Sequence, residues 1–399
     1  MKKIKILRVI ARLNIGGPAI HTVLLTEGLN RSGFQSLLVC GRVAKDEGDM
    51  SYYALDKEVK PVFIPELTRK LNLFNDITAF IKIYKIIRSQ EPDIIHTHTA
   101  KAGTLGRLAA IFYNLRRFSR KRVIIIHTFH GHVFGGYFNK IQTRIFIFVE
   151  KLLARFTHKI ITVSDSVREE LMELGIAGEG KIEVIPLGFE LDRFLKIPPK
   201  DNIGLNVGIV GRIVPIKNHR LFLEAVSGFM AVNKDIRARF KIIGDGELRG
   251  DLEERARKLG IDKYVELAGW QRDLPVIYSD LDIVALTSRN EGTPVSLIEA
   301  MASARAVVAT DVGGVRDLLG QDTGREEGIS YGFSIMERGI MVRPDDAKAF
   351  AAALGFVARD SALRKSMGEA ARDFVKDGFS KERLIRDIED LYTRILNLP

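Results

Sequence analysis

Two carboxylates stand eight residues apart, Glu291 and Glu299, in the segment Glu291-Gly292-Thr293-Pro294-Val295-Ser296-Leu297-Ile298-Glu299. The apolar run Leu281 to Leu286 before it has the length and composition of a buried parallel strand. Pro294 fits the first turn of a helix, where a missing N–H costs nothing, and Thr293 is placed as its N-cap. On that reading Glu291 sits on a strand-to-helix loop and Glu299 inside the helix. A helix that starts at the carboxyl end of a parallel strand offers free N–H groups to an anion. Carboxylates there do not suit a phosphate; they suit the hydroxyls of a ribose and of a sugar on either side of one. A second loop, Gly211-Arg212-Ile213-Val214-Pro215-Ile216-Lys217-Asn218, carries two bases five apart. Arg212 as a fork and Lys217 as a point charge could clamp a diphosphate, although two bases on a loop are more often simply solvated.

Further candidates lie at other strand ends. The first strand is followed by Asn14-Ile15-Gly16-Gly17-Pro18-Ala19-Ile20-His21, whose paired glycines let the backbone approach a ligand closely. It is not a G-x-G-x-x-G fingerprint and gives little support for NAD. Gly244 lies in Ile243-Gly244-Asp245-Gly246-Glu247, another strand-to-helix turn, and Trp270 ends the strand after it. Histidines gather at His96, His98, His127, His130 and His132. Imidazoles at that spacing can ligate zinc, but no Cys or carboxylate pattern completes a site, so no metal is expected.

These residues need a frame to hold them. Apolar strands alternate with amphipathic helices along the chain, which argues for parallel α/β architecture. In the first half, strands are expected at Ile4–Ile10, Gln35–Cys40, Ile94–His98, Val123–His127, Ile160–Val163 and Val184–Ile185, with helices near 19–32, 75–89, 103–114, 138–155 and 166–174. After Ile197-Pro198-Pro199, read as a linker, a second series gives strands at Leu205–Val210, Arg239–Ile243, Val265–Leu267, Ile283–Leu286, Ala306–Thr310 and Gly339–Val342. Helices fit 218–232, 248–259, 296–302, 346–359 and 361–375, and a last helix, 381–396, has no strand after it. Residues 321–338 read as a loop insertion. The fold class expected is α/β, two doubly wound Rossmann-like parallel-sheet domains facing across a cleft: residues 1–190, with the helix 381–399 packing back on them, and residues 200–378.

The chain has 399 residues, 46% of them hydrophobic, and one cysteine. An intrachain disulfide is therefore impossible, and Cys40 reads as a small buried residue at a strand end in a reducing compartment. The start of the chain is basic and then strand-like, without a signal peptide's cleavage site, and no apolar run reaches transmembrane length. A cytoplasmic protein is expected. The net charge is +11; residues 1–196 carry 31 Lys and Arg against 19 Asp and Glu, so the excess belongs to the first half. A basic field attracts anions, whether nucleic acid, membrane or phosphorylated substrate. The stretch Tyr137–Arg155 mixes bases with apolar residues and reads first as an amphipathic helix whose apolar stripe packs on the core. With Arg116, Arg117, Arg120, Lys121 and Arg122 it could also rest on anionic lipid.

Taken in order, these motifs resemble those of the retaining glycosyltransferases of the GT-B fold, most of all glycosyltransferase family four of the bacterial surface-polysaccharide type. The resemblance spans about residues 4–396 and rests on the E-x7-E pair, the G-R-x-x-x-x-K-N loop and the His-rich loops. It implies transfer of a hexose or N-acetylhexosamine from a nucleotide diphosphate sugar, a UDP-sugar first of all, to a lipid-linked saccharide. Residues 1–190 would bind the acceptor and residues 200–378 the donor. Glu299 would hold the ribose hydroxyls and Glu291 those of the sugar, with Gly292, Thr293, Pro294 and Val295 completing the donor loop. Arg212 and Lys217 would stabilise the departing diphosphate, so neither a cofactor nor an essential metal is expected. Gly244 and Trp270 would border the nucleotide, while His130, Gly16 and Gly17 would close the site from the other domain. Catalysis would fall to Glu291, His130, Arg212 and Lys217. The resemblance further implies an acceptor on a polyprenyl diphosphate, met at the inner face of the cytoplasmic membrane by the basic first domain, and no nucleic acid.

The chain departs from the family at Ser303-Ala304-Arg305-Ala306, where Gly and Pro are expected at the second and fourth positions. It departs again at Asp317, where Glu is usual. Rival readings are a UDP-N-acetylglucosamine 2-epimerase-like enzyme, a sugar-nucleotide sensor without turnover, and a nucleic-acid-binding protein using the basic half.

Overall fold

Short runs of branched aliphatic residues, covered on both faces, make the strands of this chain, as parallel sheets require. The segments Ile283–Leu286 and Ala306–Thr310 are buried at every position. The computed structural model describes residues 3–43, 48–68, 71–116, 122–131, 140–198, 204–325 and 330–396. The chain divides into two units, Met1–Phe189 with Lys381–Pro399, and Glu190–Ser380.

In the first unit the described strands are β1 Lys5–Arg12, β2 Gln35–Gly41, β3 Val62–Phe63, β4 Ile94–His98, β5 Ile124–Phe129, β6 Lys159–Thr162 and β7 Ile182–Val184. They form one parallel sheet in the order β3-β2-β1-β4-β5-β6-β7. The second unit holds β8 Leu205–Val210, β9 Ala238–Ile243, β10 Val265–Gly269, β11 Ile283–Leu286, β12 Ala306–Thr310, β13 Phe333–Met336 and β14 Gly339–Val342. Their order is β10-β9-β8-β11-β12-β14-β13, parallel except for the final β13–β14 pair. Each order reverses direction once, beside β1 and β4 in one sheet and beside β8 and β11 in the other. Such reversals define the doubly wound fold and leave a crevice at the carboxyl ends of the two strands concerned.

The last helix, Lys381–Ile395, belongs to the first unit. Its Leu384, Ile388, Leu391 and Tyr392 pack with Leu25 and Leu29 of the helix Gly17–Arg31 and with Ile6 of β1. On the other sheet face, the helices Leu73–Gln90 and Ala100–Leu115 bury Ala79, Ile83, Ile87, Ala109 and Ala110 against β1, β4 and β5. Arg107, fully buried, donates from Nη2 to both oxygens of Glu150 at 2.7 Å and thereby joins Ala100–Leu115 to the helix Lys140–Phe156.

Several expectations need correction. Residues 321–338 are not a plain loop insertion, because Phe333–Met336 is an edge strand whose alternate residues Phe333 and Ile335 enter the core. Ser334 interrupts its apolar run, and it pairs on one side only, so it does not stand out as a strand in sequence. The helices Ser51–Asp56, Leu274–Asp280 and Val315–Leu319 and the exposed two-residue β3 are too short to show a period. The supposed linker is fastened at Ile197-Pro198: Arg372 donates to the Ile197 carbonyl at 2.6 Å and Arg305 to the Pro198 carbonyl at 2.8 Å. Pro199 lies outside the described residues. The helix Lys140–Phe156 turns Leu153 and Ala154 inward but leaves Ile141, Ile145, Phe148, Leu152 and Phe156 exposed. It carries two apolar faces, and only the packing against β5 and β6 decides which one is covered.

The departure at Ala304 has a backbone consequence. The helix Val295–Ala302 ends in a Schellman turn, with Arg305 N–H on the Ala300 carbonyl and Ala304 N–H on the Met301 carbonyl, both at 2.9 Å. That turn holds Ala304 at φ +51°, a left-handed conformation disfavoured by its Cβ. Ala304→Gly is therefore expected to stabilise the protein by about 0.5–1 kcal/mol, the relief of strain outweighing the added entropy of the unfolded chain. A urea titration showing a higher midpoint at unchanged slope would confirm this; an unchanged or lower midpoint would refute it.

Candidate active site

In the second unit the loops after β8 and β11 meet at the strand-order reversal. Lys217 Nζ donates to Glu291 Oε1 at 2.6 Å, and Ser288 Oγ donates to the same oxygen at 2.6 Å. The supporting bonds come from three strand ends. Thr287 Oγ1 donates to the Lys217 carbonyl at 3.1 Å, Arg289 N–H to the Ile216 carbonyl at 2.8 Å, and Thr310 Oγ1 to the Ser288 carbonyl at 2.6 Å. Asp345, after β14, accepts from Asn218 Nδ2 at 2.9 Å and from Arg289 Nε at 3.0 Å. Asn218, at φ +50°, precedes the helix His219–Val232 directly. The Lys217–Glu291 pair is thus held by backbone and side-chain bonds from four loops. Neither Ser288 nor Asp345 was singled out in sequence, because a lone hydroxyl or carboxylate at a strand end carries no distinguishing spacing.

Glycine permits the close approach of these loops. A Cβ on Gly244 would stand 2.0 Å from the Gly211 carbonyl oxygen, and one on Gly314 would stand 2.3 Å from that of Gly292. Gly244 N–H also donates to the Gly269 carbonyl at 2.9 Å, the residue before the exposed Trp270. Arg212 is half-buried on the same loop as Lys217.

The helix after Glu291 begins differently from expectation. Pro294 is its N-cap in extended conformation, Val295 opens it, and Thr293 caps nothing; the Thr293 hydroxyl is buried without a hydrogen-bond partner. Proline's fixed φ is as compatible with the N-cap as with the first turn, so its presence does not set the helix start. Glu299 lies in this helix, 8% exposed, with Oε2 3.0 Å from the Tyr278 hydroxyl. Burial pushes its carboxyl up from 4.5 to about 7, against the opposing pull of the Tyr278 hydrogen bond. Tyr278, on Leu274–Asp280, also lies 3.0 Å from the Ser296 carbonyl.

In the first unit, Gly16 at φ +154° opens the helix Gly17–Arg31, whose Pro18 occupies the first turn. His21 of that helix meets His98 at the end of β4 and His130 just after β5. Their ring nitrogens come within 4.8 Å of one another, and His98 Nδ1 lies 2.9 Å from His130 Nε2. The loop carrying Gly16 and Gly17 and the residue His130 are therefore brought together through His21, which no sequence spacing had marked as a partner. His96 is occupied elsewhere, with Nδ1 2.6 Å from Tyr392 and Nε2 2.7 Å from Thr128. His127 Nδ1 lies 2.8 Å from Thr97 Oγ1. His132 lies outside the described residues.

Burial lowers all of these imidazoles, His130 to about 3, so they are neutral. Neutral nitrogens can ligate a cation. However, both nitrogens of His21, Nε2 of His98 and Nδ1 of His130 are buried with no hydrogen-bond partner. Metal-ligating histidines usually donate their second nitrogen to a carboxylate or carbonyl. The buried Arg8 guanidinium also lowers His21 and His98, as it would oppose a bound cation. The cluster fits hydroxyl or anionic oxygens better than a metal ion.

Two doubly wound sheets with polar loops gathered at their reversals define a GT-B glycosyltransferase fold. The comparisons with known proteins agree. The model described as Glycosyltransferase Family 4 matches residues 15–193, and the model described as Glycosyl transferases group 1 matches residues 204–360. The chain belongs to this family of glycosyltransferases. It is 28% identical over 377 residues to the UDP-Gal:alpha-D-GlcNAc-diphosphoundecaprenol alpha-1,3-galactosyltransferase of Escherichia coli, covering 92% of this chain and 90% of that one. It is 26% identical over 371 residues to the capsular polysaccharide biosynthesis glycosyltransferase CapM of Staphylococcus aureus, covering 89% of each. The structure of Anabaena HepE in complex with UDP superimposes with a TM-score of 0.76 at 18% identity, over 98% of this chain and all of that one.

The Glu299 carboxyl has a pH signature. The unfolded chain releases this proton near pH 4.5 and the folded protein near 7, so the native state binds more protons in that window. Stability from this group therefore falls as pH rises from about 4.5 to about 7, and the loss is complete above. Glu299→Gln, which keeps an acceptor for Tyr278, is expected to match the parent near pH 5 and exceed it near pH 8 in the absence of ligand. Chemical unfolding at several pH values reads this directly; parallel curves for the two proteins would contradict it.

Proposed function

We propose that the chain is a retaining glycosyltransferase that moves a hexose or N-acetylhexosamine from a UDP-sugar to a hydroxyl of a lipid-linked saccharide in surface-polysaccharide synthesis. The observation that carries this reading is the Lys217–Glu291 pair, held at the strand-order reversal of the second unit beside the start of the helix Val295–Ala302. A cation, a carboxylate and free helix N–H groups at one crevice match the three demands of a nucleotide sugar, which are a charged diphosphate, sugar hydroxyls and a departing anion. Support for UDP comes from the HepE complex, and support for a lipid-linked acceptor from the E. coli relative, whose name specifies diphosphoundecaprenol.

In this reading Lys217 turns from Glu291 to the diphosphate as donor binds, with Arg212 on the same loop, and they neutralise the charge that grows as the anomeric carbon–oxygen bond breaks. Glu291 then accepts hydrogen bonds from the sugar hydroxyls. Glu299 accepts from the ribose hydroxyls, and Gly244, Trp270 and the residues Gly292 to Val295 line the nucleotide. The acceptor oxygen attacks the face that the phosphate leaves, and its proton passes to the leaving phosphate oxygen, so configuration is kept without a covalent enzyme intermediate. The first unit, residues 1–190 with helix 381–399, binds the acceptor, and His130, Gly16 and Gly17 serve that unit's own site. Residues 200–378 bind the donor. The basic first unit meets the inner face of the cytoplasmic membrane, where such an acceptor is displayed.

Thermal melting against UDP, GDP, ADP, TDP and their common sugars tests the donor. A selective upward shift with UDP compounds is expected, and a larger shift with another base would overturn the choice of UDP. Lys217→Ala and Glu291→Ala are each expected to lower transfer by about 10²–10³-fold with the melting temperature of the unliganded protein little changed. Parent-level transfer by either variant would remove that residue from the mechanism.

A further inference from the structure

Glu299 is a buried carboxyl whose surroundings offer it little. Leu297, Ile298, Ala300, Met301 and Ala302 of its own helix are buried with it. The strands Ile283–Leu286 and Ala306–Thr310 beside that helix carry no charge. Charged groups on the neighbouring helices are turned elsewhere. On Ser361–Gly378, Arg364 and Arg372 donate to backbone carbonyls and the other charged residues are exposed. On Asp192–Leu195, Asp192 is exposed and Arg193 donates to Asp273 at 2.8 Å. Asp280 of Leu274–Asp280 accepts from Lys241 at 2.9 Å. Only the Tyr278 hydroxyl, 3.0 Å from Oε2, is left to Glu299, and among the described residues nothing bonds Oε1.

Tyr278 is fully buried, and Phe194 of Asp192–Leu195 packs edge to face on its ring with centroids 5.8 Å apart. Burial, with the Glu299 carboxylate beside it, holds the phenol proton on well above the usual tyrosine range, so Tyr278 stays a donor. Its hydroxyl stands 3.0 Å from two acceptors, Glu299 Oε2 and the Ser296 carbonyl, but has a single proton. When Glu299 is protonated, its carboxyl donates to the phenol oxygen and the phenol donates to the Ser296 carbonyl. When Glu299 is ionised, the phenol donates to Oε2, and the carbonyl keeps its ordinary bond within the helix. In the second state alone both carboxylate oxygens accept, as ribose hydroxyls require.

We propose that Tyr278 is a positioning residue of the donor site: by donating to Glu299 Oε2 it holds Glu299 as an acceptor with Oε1 free for the ribose hydroxyls, and so sets the preference for a ribonucleotide over its deoxy counterpart. The inference rests on the donor reading above, in which Glu299 holds the ribose. It adds a residue that touches no substrate and acts through Glu299 alone.

The test is calorimetric binding of UDP and of 2′-deoxy-UDP to the full chain across neutral pH. Four proteins are compared: the parent, Tyr278→Phe, Glu299→Gln and the double variant. Dividing one Kd by the other cancels the titration of the diphosphate, which both ligands share. The parent is expected to prefer UDP about tenfold above neutral pH and to lose that preference as pH falls through about 7, where Glu299 gains its proton. Tyr278→Phe keeps the ring against Phe194 but removes the bond that favours the carboxylate. Its preference for UDP should therefore emerge only at a pH higher by about one unit, so that near neutrality most of it is lost. In the Glu299→Gln background the same substitution should change the preference no further, since position 299 no longer ionises.

A tyrosine that merely packs would weaken UDP and 2′-deoxy-UDP equally and leave the pH profile of their ratio in place. That result, or an effect of Tyr278→Phe that persists in full beside Gln at 299, would overturn the proposal while UDP binding by the parent keeps the donor reading. A parent that binds no UDP would overturn the donor reading and this inference with it.

Discussion

The reversal of strand order in each sheet is the constraint on which the rest depends. Parallel strands need crossovers, and right-handed crossovers place successive strands on one side until the chain begins again on the other. In the second unit the restart falls between β8 and β11, so the loops leaving those strands diverge to opposite sheet faces. A crevice with exposed backbone and free helix ends remains between them. Lys217 and Glu291, 74 residues apart in sequence, become hydrogen-bonded neighbours only because of this topology.

The two polar clusters at the strand ends solve burial in opposite ways. Around Glu291, charge is kept and compensated: a lysine, a serine and a lattice of bonds through Asp345, Asn218 and Arg289 hold the carboxylate. At His21, His96, His98, His127 and His130 of the first unit charge is shed, since burial keeps these rings neutral and leaves several nitrogens without partners. Unsatisfied buried polar atoms are costly in a protein at rest. They concentrate at the carboxyl end of the sheet, the edge at which doubly wound folds leave a crevice. Glu299 belongs to neither pattern; a single tyrosine hydroxyl is too little to offset its desolvation.

Much of the architecture was legible because its signals are local. Branched aliphatic runs marked twelve strands, and amphipathic periods marked the long helices. What escaped was short or depended on context. The strand Phe333–Met336 is recognisable only beside β14, and Leu274–Asp280 only by the buried Tyr278 it delivers to Glu299. The helix Lys140–Phe156 shows the limit most clearly. Its sequence declares an apolar period, but two faces satisfy it, and the outward one became visible only when the sheet had taken the other.

The sequence by itself determined the elements, their parallel order of appearance and the residue types at each strand end, since strand and helix preferences act over a few neighbours. It also determined the family, because ordered motifs survive without their geometry. The tertiary structure alone decided which of those polar residues meet. It joined Lys217 to Glu291, drew His21 to His98 and His130, and turned His96 and His127 away to Tyr392 and Thr97. It also moved the helix start past Pro294 and placed Ala304 in a left-handed turn. Contacts between residues far apart in the chain depend on crossover handedness and on close packing of the whole unit, and no local window of sequence contains either.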